Sequence, residues 1–140
     1  MPKTIVQKVV FKNATARDIY DLYMNPKKHT EATGAPARIS AKVGAKFSAY
    51  DGYITGKNLH LVKEKLIVQS WRGSDWNRNE VDSTFAIHLE QKGKDVTLFM
   101  THANVPDKEA PGITKGWRDF YWEPWKRHLA GKKSGKTSGM

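Results

Sequence analysis

In TKGWRDFYWEPWKRHLA, residues 114–130, Trp117, Tyr121, Trp125 and Leu129 recur every four residues. That spacing places one apolar stripe along a helix, and Phe120 widens it. Trp122 falls off the stripe and, if exposed, marks a contact surface for another protein. Thr114 is positioned to cap the helix and Pro124, lacking a backbone donor, to kink it. Gly131 is expected to stop it, leaving a Gly/Ser/Lys tail, 131–140, as a disordered basic segment. No other segment is long and apolar enough to cover a sheet, so the fold follows from what this helix packs against.

What lies upstream reads as that sheet. TIVQKVVF (4–11) is rich in β-branched residues and forms a first strand. Thr15 and Asp18 stand at capping-box spacing before Ile19, Leu22 and Tyr23, which predicts a short amphipathic helix. Pro26 ends that helix and opens a second through about Thr30, with Gly34 and Pro36 closing the pair. From Ala37 to Val105 the pattern changes to strands: Phe47–Tyr50, Tyr53–Thr55, Leu66–Arg72, Val81–Leu89 and a last strand carrying Val96, Leu98, Met100 and His102 on one face. Val81, Phe85, Ile87 and Leu89 alternate with Asp82, Thr84 and His88, and Asp51-Gly52 is a tight-turn signal. The expectation is a single α+β domain over residues 1–130. A curved antiparallel sheet of about six to seven strands wraps the C-terminal helix, with two short helices after the first strand, and the gap between sheet and helix is a natural cavity.

Composition narrows the function classes. The chain has 140 residues, 39% hydrophobic and 27% charged, a globular balance. It has no cysteine, which excludes disulfides, thiol nucleophiles and thiolate metal sites. No apolar run is long enough to span a bilayer, and Met1-Pro2-Lys3-Thr4 leads straight into a strand without a signal-peptide core. A cytoplasmic location is the resulting expectation, with no membrane partner. The formal charge is +10. Lys132, Lys133 and Lys136 lie in the last ten residues, and taking those three from the 24 basic residues leaves 21 against 14 acidic ones. The excess is spread over the surface without an Arg-rich run. Nucleic acid is therefore expected only as weak, salt-sensitive electrostatics. The alternatives are a solvated surface or an acidic protein partner.

The chemistry-bearing residues form no convincing catalytic set. The five histidines, His29, His60, His88, His102 and His128, show no HExxH spacing, and no cofactor or metal is expected. Ser48, Ser70 and Ser83 lack a Gly-x-Ser-x-Gly elbow. His102 shares a strand face with Leu98 and Met100 and so points inward, either satisfying a local bond or facing a ligand. The aromatic load is the stronger signal. Most of it fills core, and the functional reading is that Trp71, His102, Trp117 and Tyr121 line a cavity for a small apolar or amphipathic molecule.

The string GAKFSAYDGYITGKNLHLVKEKLIVQSWRGSDW (44–76) carries a Gly-x-x-Phe, the Asp51-Gly52 turn with Gly56 behind it, Leu61, the strand IVQSWR (67–72) and Trp76. With Thr97-Leu98 through Val105-Pro106 and Gly116-Trp117, this ordered set resembles the activator of heat-shock protein 90 ATPase homologue family of the START-like (SRPBCC) superfamily, over roughly residues 4–130. The resemblance implies the helix-grip fold. Within that superfamily some members bind lipids or other apolar ligands, others catalyse cyclisations or hydrolyses, and the co-chaperones stimulate a chaperone ATPase. The favoured expectation is a non-enzymatic domain that binds a small hydrophobic ligand or a protein client in or near the cavity. A stand-alone co-chaperone bound to a chaperone protein is the alternative, and a small enzyme using His102 as proton carrier a further one. Either a monomer or a homodimer fits.

Overall fold

The computed structural model describes residues 1–138, with side chains described through Gly131. Six strands form one antiparallel sheet: β1 (Lys3–Phe11), β2 (Lys46–Ala49), β3 (Ile54–Val62), β4 (Leu66–Gly73), β5 (Ser83–Lys92) and β6 (Asp95–Val105), in the order β1-β6-β5-β4-β3-β2. Helices α1 (Ala16–Met24) and α2 (Pro26–Thr33) follow β1, and α3 (Ala110–Trp117) and α4 (Glu123–Ser138) follow β6. The capping box is complete, Thr15 accepting from the Asp18 N–H and Asp18 from the Thr15 N–H, each at 3.0 Å. Pro26 opens α2 after the Asn25 cap, and Gly34 closes it at φ +80°, a conformation glycine adopts without a Cβ clash.

Strand alternation puts Phe85, Ile87 and Leu89 of β5 and Leu98, Met100 and His102 of β6 on the covered face. Val81 departs from the reading: it precedes β5, is 67% exposed, and Ser83 takes the inward position instead. In β3 a register shift between Asn58 and His60 inverts hydropathy. Asn58 is buried while Leu59 is exposed. The amide has partners that justify it: Asn58 Nδ2 donates to the carbonyls of Ser40 (2.7 Å) and Lys42 (3.0 Å), and Oδ1 accepts from Gln69 Nε2 at 2.8 Å.

The C-terminal helix is not one regular helix. A π-helical segment, Arg118–Trp122, separates α3 from α4, with the Glu123 N–H bonded to the Arg118 carbonyl. The reason lies two residues further on. Pro124 has no N–H for the Phe120 carbonyl, the ordinary i−4 acceptor. The Tyr50 hydroxyl donates to that carbonyl instead. The inserted residue also rotates the face. Residues five apart now stack, and Trp122 lies on Trp117 with ring centroids 5.4 Å apart and planes at 16°. Trp122 is therefore buried, its Nε1 donating to Gln7 Oε1 at 2.6 Å, and is no surface residue. Phe120, expected to widen the buried stripe, is 57% exposed. Helix α4 continues past Gly131 to Ser138, so that glycine does not end it. The side chains beyond Gly131 and residues 139–140 lie outside the described residues, and with them the expectation of a disordered tail.

Tyr50→Phe is expected to lower stability by about 1 kcal/mol, since it removes the donor on the Phe120 carbonyl and keeps the ring. Urea unfolding of both chains would measure it, and an unchanged midpoint would show that this hydroxyl does not hold the π-helical segment.

Candidate functional site

Where β2, β3 and β4 approach α3 and the π-helical segment, the structure leaves a cavity of about 500 Å³. Tyr50, Tyr53, Ile54 and Trp71 line it from the sheet side, and Ile113, Trp117, Phe120 and Tyr121 from the helix side. Glu109, Gly112 and Gly116 complete its wall. The two glycines leave it open: a Cβ on Gly112 would meet nothing within 4 Å, and one on Gly116 only Phe120, at 3.6 Å. Tyr50 sits at φ +49°, a left-handed conformation unfavourable for a bulky residue, in the turn that leads into β3. Its ring meets Phe120 and Tyr121, each edge-on with centroids 5.6 Å apart.

Of the four residues singled out from sequence, Trp71, Trp117 and Tyr121 reach the cavity wall and His102 does not. His102 is fully buried behind them, its ring edge-on to Trp71 at 4.8 Å. Its partners fix its state. An indole N–H can only donate, so Trp117 Nε1 at 3.1 Å requires His102 Nδ1 to accept. The proton is then on Nε2, which donates to Ser83 Oγ at 2.7 Å, and the Ser83 hydroxyl donates onward to the Trp71 carbonyl at 2.8 Å. Burial lowers the His102 pKa to about 3. A histidine held neutral, with both nitrogens committed, neither activates Ser83 nor carries a proton to the cavity.

A second buried chain begins at the cavity wall. Tyr121 Oη donates to His29 Nε2 at 3.1 Å, and His29 Nδ1 donates to the Tyr23 carbonyl at 2.8 Å. Tyr23 Oη donates to Gln69 Oε1 at 2.7 Å, which links the chain to Asn58. Burial lowers the His29 pKa and raises that of Tyr121 well above the ordinary tyrosine value. The sequence marked His29 only as one histidine of five. Its burial comes from the turn between α1 and α2, which no local periodicity reports. At the cavity mouth Tyr53 Oη donates to Asp75 Oδ1 at 2.9 Å. Burial, then the carboxylates of Asp75 and Glu109, push the Tyr53 hydroxyl up to about 12. His128 lies elsewhere, in a groove with Asp18, Leu22 and Glu31. Among the described residues no cluster of His, Asp and Glu is arranged to hold a metal ion, and no helix is long and apolar enough to cross a membrane.

Tyr50, Tyr53, Phe120 and Glu109 are among the cavity residues that the sequence did not single out as a site. The Asp51-Gly52 turn was the one signal placing Tyr50 and Tyr53 near each other; nothing pointed to Glu109.

Known proteins share both sequence and architecture with this chain. The human activator of 90 kDa heat shock protein ATPase homolog 1 is 29% identical over 106 residues, 76% of this chain and 31% of that protein. The homologue in Dictyostelium discoideum is 31% identical over 117 residues, 83% of this chain and 30% of its own length. The chain thus spans about a third of the length of these curated relatives. In structure it resembles the Hsp90 activator PFC0360w from Plasmodium falciparum, with a TM-score of 0.83 at 23% identity over 91% of this chain and 96% of that one. The family model for activator of Hsp90 ATPase homolog 1-like proteins matches residues 13–129, and with the six-stranded sheet gripping the C-terminal helices it places this chain in that family, on a START-like helix-grip fold.

Proposed function

We propose that this is a non-enzymatic domain of the Hsp90-activator type that holds a small apolar molecule, or an apolar group of a protein client, in the cavity between sheet and helix. The observation that carries this reading is the 500 Å³ space walled by aromatic rings, with Gly112 and Gly116 in its wall adding no side-chain bulk. The bonding of the two buried histidines behind the cavity wall, His102 and His29, supports the non-enzymatic part, since both ring nitrogens of each are committed to the core.

A neutral fluorescent probe, N-phenyl-1-naphthylamine, tests it. Saturable enhancement is expected with the native chain. Gly116→Leu, which adds bulk inside the cavity on a helical backbone, is expected to weaken binding at least tenfold. Equal binding by the variant would move the probe, and the proposal, off this cavity.

The names of the relatives favour a second reading, in which the domain contacts a chaperone and stimulates its ATPase. The positive charge of the chain suits an acidic partner surface. Adding the chain to a purified Hsp90-type ATPase tests this reading, and unchanged turnover at saturation would remove it.

A further inference from the structure

Among the described residues no lysine or arginine lines the cavity, and its one charged wall residue is Glu109. Six aromatic side chains, Tyr50, Tyr53, Trp71, Trp117, Phe120 and Tyr121, form most of the rest of its lining, with Ile54 and Ile113. Their mutual angles turn ring faces in several directions. Tyr50 stands at 77° to Tyr121 and 67° to Phe120, while Trp117 is tilted 43° from Tyr121 and 47° from Trp71. Four of the five polar ends of these rings are already engaged. Tyr50 Oη is bonded to the Phe120 carbonyl, Tyr53 Oη to Asp75, Tyr121 Oη to His29 and Trp117 Nε1 to His102. Trp71 Nε1 has no hydrogen-bond partner, but it is buried out of reach of the cavity space. An anionic or strongly accepting guest would therefore reach no free donor on these rings. Trp117 is stacked on both Phe85 and Trp122, so the ring surface open to a guest lies mainly on Tyr50, Tyr53 and Phe120. A cation would find there π faces, which carry negative potential, beside the Glu109 carboxylate.

We infer that the cavity selects an organic cation with an apolar body, of the methylated-ammonium class, held against the aromatic faces and paired at the mouth with Glu109. This rests on the cavity being a binding site, and adds the charge of its occupant. Asp75, bonded to Tyr53, puts a second carboxylate at the same end. Glu109 and Tyr53 line the same cavity. A methylated ammonium suits such a site better than a primary one, because its methyl groups spread the charge and it sheds water at lower cost on entering an apolar wall.

The test compares benzyltrimethylammonium with neopentylbenzene, its neutral isostere, each titrated while tryptophan fluorescence is followed. The cation is expected to bind roughly tenfold tighter, the range that a desolvated cation–π contact supplies. Glu109→Gln is expected to reduce cation affinity severalfold and leave the neutral compound unchanged. If the neutral compound binds as well or better, the cation assignment is overturned while the apolar-cavity reading stands. If neither binds, both fall. A cation preference that persists undiminished in Glu109→Gln would overturn the role of that carboxylate.

Discussion

Replacing Gly56 by alanine is expected to destabilise the fold by about 3 kcal/mol or more. Gly56 lies in β3 opposite Trp71 of β4 and Phe47 of β2. A Cβ built there would come within 1.9 Å of the Ser70 carbonyl oxygen and 2.6 Å of the Phe47 ring. The first contact is with backbone inside the sheet, so no rotamer change relieves it, and the strands must separate. Overpacking in a core typically costs about 1–3 kcal/mol, and a clash with a central ladder belongs at or above the top of that range. That is a large fraction of the stability of a domain this size. Circular dichroism and a thermal melt of Gly56→Ala measure it; a melting temperature within a few degrees of the native chain would refute the close approach. Gly73→Ala makes the contrasting case, because its Cβ would meet side-chain atoms of Trp76 and Tyr53, which can move. That variant should fold, less stably, with the cavity mouth disturbed.

Acid should destabilise the domain well above the pH at which His102 itself protonates in the native state. The unfolded chain binds a proton on this residue near pH 6.5, the folded chain only near pH 3. Between those values the unfolded state holds more protons, so stability falls as pH is lowered. At about 1.4 kcal/mol per pH unit, the loss from His102 reaches about 2 kcal/mol by pH 5. His29, also lowered by burial, adds in the same direction. Protonation would also set the new Nδ1–H of His102 against the Trp117 N–H, two donors facing each other. Urea unfolding at pH 7, 6, 5 and 4 gives the slope. His102→Gln keeps an acceptor and a donor without a titrating group and should flatten it. A variant that retains the full slope would show that the acid sensitivity arises elsewhere.

Part of the candidate site was legible before any coordinates. Trp71 sits at an inward position of a clear strand, and Trp117 and Tyr121 share a helical stripe; all three reach the cavity. His102 was rightly read as inward, yet it stands behind the wall, because the Trp117 indole and the Ser83 hydroxyl hold it there from elements distant in sequence. Glu109 gave no signal, since its place depends on how the turn before α3 meets the β3 end of the sheet.

The sequence by itself determined the order of elements, the Thr15–Asp18 cap, the Pro26 helix start, the Asp51-Gly52 turn and the aromatic helix that closes the sheet. These follow from rules that act within a few residues: periodicity, capping bonds and permitted φ. Only the tertiary structure decided which residues cross those rules. One extra residue in β3 turned Asn58 in and Leu59 out, and the π-helical segment ahead of Pro124 turned Trp122 in and Phe120 out. A pattern of period 2 or 3.6 cannot foresee an inserted residue. Each insertion is held by distant partners, Gln69 and the Ser40 and Lys42 carbonyls for Asn58, Gln7 for Trp122 and Tyr50 for the Phe120 carbonyl, and those bonds exist only once the sheet and helix have met.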